Sequence, residues 1–142
     1  MGSSQLRYWV GFSIVPQIGP ARLRGLLQHF GSVEAAWHAD SRALQAAGLD
    51  RRALGNLLAA RRALDLDREL ERLQRAGVTA LTWDDAAYPP RLREIGAPPL
   101  VLYVRGALLP DDEWAVAVVG TRHPSAYGLE MARQLAGDLA RS

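Results

Sequence analysis

The segment over residues 116–142, VAVVGTRHPSAYGLEMARQLAGDLARS, constrains the fold of this chain most strongly. Small apolar residues come first, a polar turn with an arginine follows, and an amphipathic helix ends the segment. The run over residues 115–120 is apolar on both faces, which is typical of a strand buried in a parallel sheet. We therefore predict a β-α unit of a doubly wound α/β fold. Because such a strand needs neighbours, we expect the chain to be the front part of a longer protein.

The first 77 residues have the pattern of a small all-helical bundle. Apolar residues recur at helical spacing in five segments, and proline, glycine, serine and aspartate mark their ends. Pro20 suits the first turn of the second helix, and Gly31 suits its end. The expected N-caps of the next three helices are Ser32, Ser41 and Asp50.

The pattern changes after Gly77, where short apolar runs replace the helical spacing. Strands are predicted over residues 78–83, 99–106 and 115–120, with a short helix between the first two. The predicted fold class is therefore α/β overall. It comprises an all-α domain over residues 1–77 and the first part of an α/β domain over residues 78–142.

Composition narrows the functional classes only moderately. All 17 basic residues are arginines, and the formal net charge of +2 divides into +4 over residues 1–78 and −2 over residues 79–142. This bias is too small to imply nucleic-acid binding by itself. The chain has no cysteine, no apolar run near the roughly 20 residues that span a bilayer, and no secretory signal pattern. We expect a soluble cytoplasmic protein with no metal, no cofactor and no membrane contact.

The turn after the third predicted strand is the main candidate for ligand binding. Gly120, Thr121 and Arg122 lie just beyond the carboxyl end of that strand, where open parallel sheets bind ligands. A helix N-terminus follows and favours anions, so phosphate is the natural ligand. The pattern is neither G-x-G-x-x-G nor a P-loop, and an incidental surface arginine is the alternative. Accessory candidates at the start of the helix are Ser125, Tyr127 and Gly128.

A second candidate lies over residues 14–31, IVPQIGPARLRGLLQHFG, which resembles a helix-hairpin-helix. Such hairpins hold DNA phosphates with backbone N–H groups, and Arg22 and Arg24 lie near the start of the second helix. Gln17 stands where the usual hairpin has glycine. The alternative is a helix pair that only closes the bundle.

The last helix of the bundle is predicted to be long, over residues 51–76. Four arginines share one face of it and could form a phosphate track. Acidic residues at i±3 and i±4 allow intrahelical ion pairs, so a self-paired, solvated face is the alternative. The arginines are Arg61, Arg68, Arg72 and Arg75, and the acids are Asp65, Glu69 and Glu71.

Four segments together resemble the DNA-processing protein A (DprA/Smf) family. They are YPPRL at 88–92, PPLVLYVRG at 98–106, VAVVGTR at 116–122 and YGLEMAR at 127–133. The resemblance runs over residues 79–142. The preceding helices are similar, with less specific motifs, to that family's N-terminal domain, which is likened to a sterile-alpha-motif (SAM) or helix-hairpin-helix domain.

The resemblance implies a protein that binds single-stranded DNA without strong sequence preference. Such proteins load a RecA-type recombinase during natural transformation of competent cells, and they are not enzymes in that role. Their central domain is an extended Rossmann-like fold whose glycine–small–arginine turn grips DNA phosphates, here Gly120, Thr121 and Arg122. Further DNA-contacting and dimerising residues lie downstream in the family, and the intact protein is expected to be a homodimer. Tyr88 and Tyr103 are expected to pack rather than to stack on bases.

Two other functional classes stay open at this point. A Rossmann-like phosphate turn also occurs in nucleotide hydrolases of the phosphoribohydrolase type, but these need an acidic catalytic motif that is not visible here, and no catalytic residue is predicted. Alternatively, residues 1–77 form a protein-interaction module. We also expect the chain to dimerise or swap its β-α unit, or else to have been cleaved from a longer protein, because a parallel strand without neighbours exposes apolar edges.

Overall fold

The structure is a computed structural model that describes residues 3–110 and 115–141. The chain divides into two compact units, Met1–Ala107 and Leu108–Ser142, each of which is treated by itself below. No helix in the described ranges is long and apolar enough to cross a membrane. The elements in chain order are α1 (Ser3–Ile14), α2 (Pro20–Phe30), α3 (Val33–His38), α4 (Ser41–Ala46), α5 (Arg51–Ala63), α6 (Leu66–Arg75), β1 (Val78–Thr82), α7 (Pro90–Glu94), β2 (Val101–Arg105) and α8 (Ala126–Leu139).

Side-chain caps determine where the helices of the first unit begin. The Ser32 hydroxyl accepts a hydrogen bond from an N–H group of α3, and the Asp50 carboxylate accepts two from α5. Gly31 ends α2 with a φ of 78°, a left-handed conformation that costs glycine little. These predicted boundaries are confirmed. The predicted cap of α4 is wrong by one residue, because Asp40 rather than Ser41 accepts the bond, from the Ala43 N–H at 2.8 Å.

The predicted long helix over residues 51–76 is wrong, because two helices replace it. Helix α5 ends at Ala63, and Leu64 has extended backbone angles. Asp65 then caps α6, and its Oδ1 accepts a hydrogen bond from the Arg68 N–H at 3.0 Å. An aspartate that can satisfy a helix N-terminus competes with continuation of the preceding helix, which explains the break.

The core of the first unit is built around α1. Phe12 is fully buried and meets Trp37 edge-on, with 5.1 Å between the ring centroids. A Cβ at Gly11 would lie 2.9 Å from the Trp37 ring, so only glycine allows α1 and α3 to approach so closely. Each large apolar side chain buried here contributes about 1.5 to 3 kcal/mol. Other fully buried members of the core are Leu23, Leu26, Leu44 and Leu57.

The two strands of the first unit form an antiparallel pair. The register runs from Val78 opposite Arg105 to Thr82 opposite Val101, and it confirms the first two predicted strands with shorter bounds. The buried end of the sheet packs on the helical core through Val101. The first compact unit therefore includes this sheet together with the helices. The predicted domain boundary near Gly77 stays a prediction.

The third predicted strand does not form. Residues 115–120 have no strand structure, and their side chains are exposed, with Val116 at 67% and Val119 at 88%. The described residues of the second unit contain no other strand, so the segment has no backbone partner for its N–H and C=O groups. The following helix is present as predicted, with Ser125 as its N-cap.

Candidate nucleic-acid interface

The predicted phosphate turn is an exposed connection between residues 115–119 and α8. Gly120, Thr121 and Arg122 are all exposed. The Thr121 hydroxyl oxygen lies 3.3 Å from the His123 N–H and accepts its hydrogen bond, which tightens the turn. Among the described residues, the Arg122 side chain has no hydrogen-bond or ion-pair partner. Its guanidinium therefore offers all of its donors to a ligand.

The start of α8 adds positive potential beside this arginine. The Ser125 Oγ accepts a hydrogen bond from the Gly128 N–H at 3.1 Å, and the first turn of α8 carries no acidic residue. A Cβ at Gly128 would lie 3.4 Å from that oxygen, which is ordinary van der Waals contact. The Tyr127 side chain is 75% exposed. The three accessory candidates thus lie within a few residues of Arg122, at the positive end of a helix dipole.

The two other arginines in this part of the chain, one within α8 and one just after it, differ in whether they already have an acidic partner. Arg141 is paired with Asp138 at 2.9 Å near the end of the helix, whereas Arg133 is exposed. Arg122 is therefore better placed than Arg141 to bind an external anion. The described residues contain no group of three or more histidines, aspartates or glutamates that could hold a metal ion.

The hairpin between α1 and α2 contains one residue with a left-handed backbone conformation. Gln17 has a φ of 68°, so it takes the left-handed conformation that favours the glycine usual at this position. Gly19 is the N-cap of α2 and provides no side-chain hydrogen bond. The hairpin is also tied to α5, since the Asn56 side chain donates to the Pro16 carbonyl at 3.0 Å.

The two arginines of this hairpin have different surroundings. Arg22 forms an ion pair with Asp50 and also donates to the Gln17 carbonyl, so its guanidinium is engaged inside the unit. Arg24 is exposed, and its guanidinium lies over the indole of Trp83 at 5.1 Å from the ring centroid. A cation–π contact of this kind restrains the guanidinium.

Asp50 supports the internal role of Arg22. Hydrogen bonding from the Ala53 N–H, together with the charge of Arg22, lowers the pKa of the Asp50 carboxyl. The carboxylate therefore stays ionised over the whole neutral range, where it both caps α5 and holds Arg22. Sequence spacing alone did not separate Arg22 from Arg24, because Asp50 lies 28 residues from Arg22 along the chain.

The arginines of α6 form a self-paired face. Arg72 pairs with Glu69 at 2.9 Å and Arg75 pairs with Glu71 at 2.7 Å, which confirms these two predicted pairs. Because Asp65 caps α6, the predicted contacts of its side chain with arginine side chains are replaced by a bond to a backbone N–H.

Arg61 lies in α5, whereas the other three arginines lie in α6. The predicted track of four arginines along one long helix is therefore wrong. Arg61 donates to the carbonyls of Ala39 at 2.8 Å and Ala36 at 3.0 Å. Burial lowers the pKa of this guanidinium. Arg61 therefore donates its hydrogen bonds to carbonyl groups at the C-terminal end of α3.

Two tyrosines that were expected to pack differ in the structure. Tyr88 is fully buried, as predicted, and its hydroxyl donates to the Pro99 carbonyl at 3.0 Å. Tyr103 packs only in part, because it is 44% exposed while its hydroxyl contacts Ser13 on α1. The period-two alternation of VLYVR places Tyr103 and Arg105 on the same face of β2, and this pattern could have revealed the exposed aromatic ring.

Comparison with known protein families defines the class of this chain. Residues 79–142 match the family described as DNA recombination-mediator protein A. The chain is 35% identical to Protein Smf of Synechocystis sp. over 147 residues, which cover 100% of this chain and 37% of the relative. It is 36% identical over 152 residues to a Mycobacterium tuberculosis protein provisionally named DNA processing protein DprA, covering 94% of this chain and 36% of the relative.

The chain therefore belongs to the DprA/Smf family, a family of recombination mediators rather than of catalytic enzymes. This confirms the resemblance that the four sequence segments indicate. The chain spans a little more than a third of the length of these curated relatives. No solved structure matches the chain significantly.

Proposed function

We propose that this protein binds single-stranded DNA through its phosphates and delivers it to a RecA-type recombinase during natural transformation. The central contact is the turn formed by Gly120, Thr121 and Arg122. Phosphate contacts give affinity without sequence preference, which suits a mediator that accepts any incoming strand. The role requires binding and release of DNA but no chemical step on it.

The observation that carries the proposal is that Arg122 is exposed and, among the described residues, unpaired. Its side chain is exposed and has no acidic partner in the described part of the chain, and it precedes a helix start that also lacks acidic residues. An unpaired guanidinium beside a helix N-terminus attracts phosphate oxygens both by charge and by directional hydrogen bonds. Family membership supports DNA as the source of these phosphates.

The proposed accessory contacts are chosen in the same way, as groups that lie beside Arg122 or that are exposed and have no acidic partner among the described residues. Ser125, Tyr127 and Gly128 line the start of α8, where an exposed ring and backbone N–H groups adjoin Arg122. In the hairpin of the first unit, we propose that Arg24 contacts phosphate, whereas Arg22 holds the hairpin to Asp50.

The proposal includes the organisation of the intact protein. Residues 1–77 are a SAM-like or helix-hairpin-helix-like domain, and residues 78–142 begin an extended Rossmann-like domain. The exposed valines of residues 115–119 and the apolar side chains of α8 are the kind of surface that a complete domain would bury. The intact protein acts as a cytoplasmic homodimer.

The test uses the intact protein and a fluorescent oligo(dT). Arg122→Ala removes one charge-assisted phosphate contact, so we expect affinity to fall by about tenfold at constant salt. Arg141→Ala is the matched control, because it removes the same charge from an arginine that is already paired with Asp138. Arg122→Lys keeps the charge without the planar fork and should give an intermediate affinity.

Two results would count against this function. Equal affinities of wild type, Arg122→Ala and Arg141→Ala would remove the turn from the DNA site. Release of free base from a nucleoside monophosphate by the purified protein would favour the hydrolase class instead.

A further inference from the structure

One face of β2 presents an aromatic ring and an arginine that the proposed phosphate turn does not use. Tyr103 and Arg105 are two residues apart on this strand, so both side chains project to the same side of the sheet. Their spacing along the strand is about 6.6 Å. Both are exposed, in contrast to Val101 at the buried end of the same face.

The Tyr103 side chain is fixed at one end by strand β2 and at the other by a hydrogen bond of its hydroxyl. Its hydroxyl lies 2.7 Å from the Ser13 Oγ, and that hydroxyl of Ser13 is in turn 2.7 Å from the Val10 carbonyl. Since Ser13 has one hydrogen and donates it to the carbonyl, Tyr103 is the donor to Ser13. The ring is therefore fixed between β2 and α1 while 44% of the side chain stays exposed.

The charge on this face is uncompensated. Arg105 lies opposite Val78, and Tyr103 lies opposite Ala80, so neither has an acidic neighbour across the strand pair. The strands β1 and β2 contain no aspartate or glutamate at all. Arg105 has no ion-pair partner among the described residues.

An apolar groove adjoins the same face. Its volume is about 230 Å³, and it lies between α1, α6 and β1. Val78 and Ala80, the cross-strand partners of Arg105 and Tyr103, line it together with the Gln74 side chain. An aromatic ring, an apolar wall and an amide provide stacking and hydrogen bonding for a nucleobase, and Arg105 provides a partner for its phosphate.

We propose that Tyr103 stacks on a base of the bound single strand and that Arg105 contacts the adjacent phosphate. This second contact lies on the first unit and rests on the proposed function, because it assumes that single-stranded DNA is the ligand. It adds a base-stacking contribution that the turn at Arg122 does not supply. Stacking on an aromatic ring is tolerant of sequence, so it preserves the absence of sequence preference.

The test compares oligo(dT) with an abasic oligomer of the same length and charge, both bound to the intact protein. Tyr103→Ala should weaken binding of oligo(dT) by roughly tenfold and leave the abasic oligomer almost unaffected. Tyr103→Phe keeps the ring and loses only the bond to Ser13, so it should stay close to wild type. Thermal melting of each variant checks that the first unit remains folded.

Arg105→Ala should weaken both oligomers and reduce the slope of log affinity against log salt by about 0.7. Arg62→Ala removes the same charge from an exposed position on α5 and serves as the matched control.

The outcomes separate this contact from the site at Arg122. If Tyr103→Ala weakens both oligomers equally, or neither, the stacking contact is refuted even where Arg122→Ala still lowers affinity. If Arg105→Ala behaves like Arg62→Ala, the phosphate contact is refuted. If the protein binds neither oligomer, both the proposed function and this inference fail.

Discussion

Replacing Tyr88 tests how the proline-rich segment is attached to the first unit. The Pro99 carbonyl accepts two hydrogen bonds, one from the Trp83 indole N–H at 2.8 Å and one from the Tyr88 hydroxyl at 3.0 Å. Tyr88 belongs to the Tyr-Pro-Pro motif and is fully buried. Two substitutions perturb its hydroxyl and its ring separately. The variants are Tyr88→Phe and Tyr88→Ala.

The expected magnitudes follow from what each variant removes. Tyr88→Phe deletes one hydrogen bond, but Pro99 keeps the bond from Trp83, so no buried acceptor is left unsatisfied. The expected loss in the free energy of unfolding is about 1 kcal/mol. Tyr88→Ala also removes a buried ring and leaves a cavity, for which the expected loss is about 3 to 5 kcal/mol.

The assay is urea unfolding followed by tryptophan fluorescence, repeated across alkaline pH. Burial raises the pKa of the Tyr88 hydroxyl above its ordinary value. Above about pH 10 the unfolded chain releases this proton while the folded protein keeps it, so stability falls as pH rises. Tyr88→Phe should lose this part of the alkaline destabilisation.

Two findings would refute the reasoning about Tyr88. A Phe variant as unstable as the Ala variant would mean that the hydroxyl, rather than the ring, dominates. An identical alkaline stability profile for wild type and Tyr88→Phe would mean that the hydroxyl is not protected from titration.

Three further predictions concern packing, the hairpin and association. Gly11→Ala should lower the melting temperature because its methyl group meets a buried tryptophan ring, whereas Gly55→Ala, at an exposed position of α5, should raise stability by about 0.5 to 1 kcal/mol; a rise in stability for both variants would contradict the packing argument. Arg24→Ala should weaken oligo(dT) binding and lower the melting temperature only slightly, through its lost contact with Trp83, whereas Arg22→Ala should lower the melting temperature and leave binding unchanged; the same response from both would contradict this distinction. Light scattering of the chain should show self-association through the exposed apolar side chains of residues 115–141, and a monomer at high concentration would refute this.

Features governed by neighbouring residues were predictable from the sequence. Ser32, Asp50 and Ser125 each cap the helix that follows by accepting a hydrogen bond from an N–H group two or three residues along the chain, so a cap requires only local backbone. The strands β1 and β2 were also predicted, since each is a short apolar run bounded by turn residues. The sequence also predicted a helix after the segment that contains Arg122, and α8 begins there at Ala126.

Features that depend on distant residues were not predictable. Residues 115–120 have strand composition, but a strand forms only when another backbone supplies hydrogen bonds. The helix break at Leu64 was missed although its cap is local, because Asp65 fits both a helix interior and a cap and periodicity alone could not choose between them. The difference between Arg22 and Arg24 depends on Asp50 and Trp83, which approach them only in the folded unit.

The most direct test of the central claim is the salt dependence of oligo(dT) binding by wild type and Arg122→Ala. One phosphate contact contributes about 0.7 to the slope of log affinity against log salt for a single strand. The account predicts that affinity falls with salt and that the Arg122→Ala slope is shallower by about this amount. Parallel lines with equal affinities, or an affinity that does not change with salt, would contradict phosphate binding at Arg122.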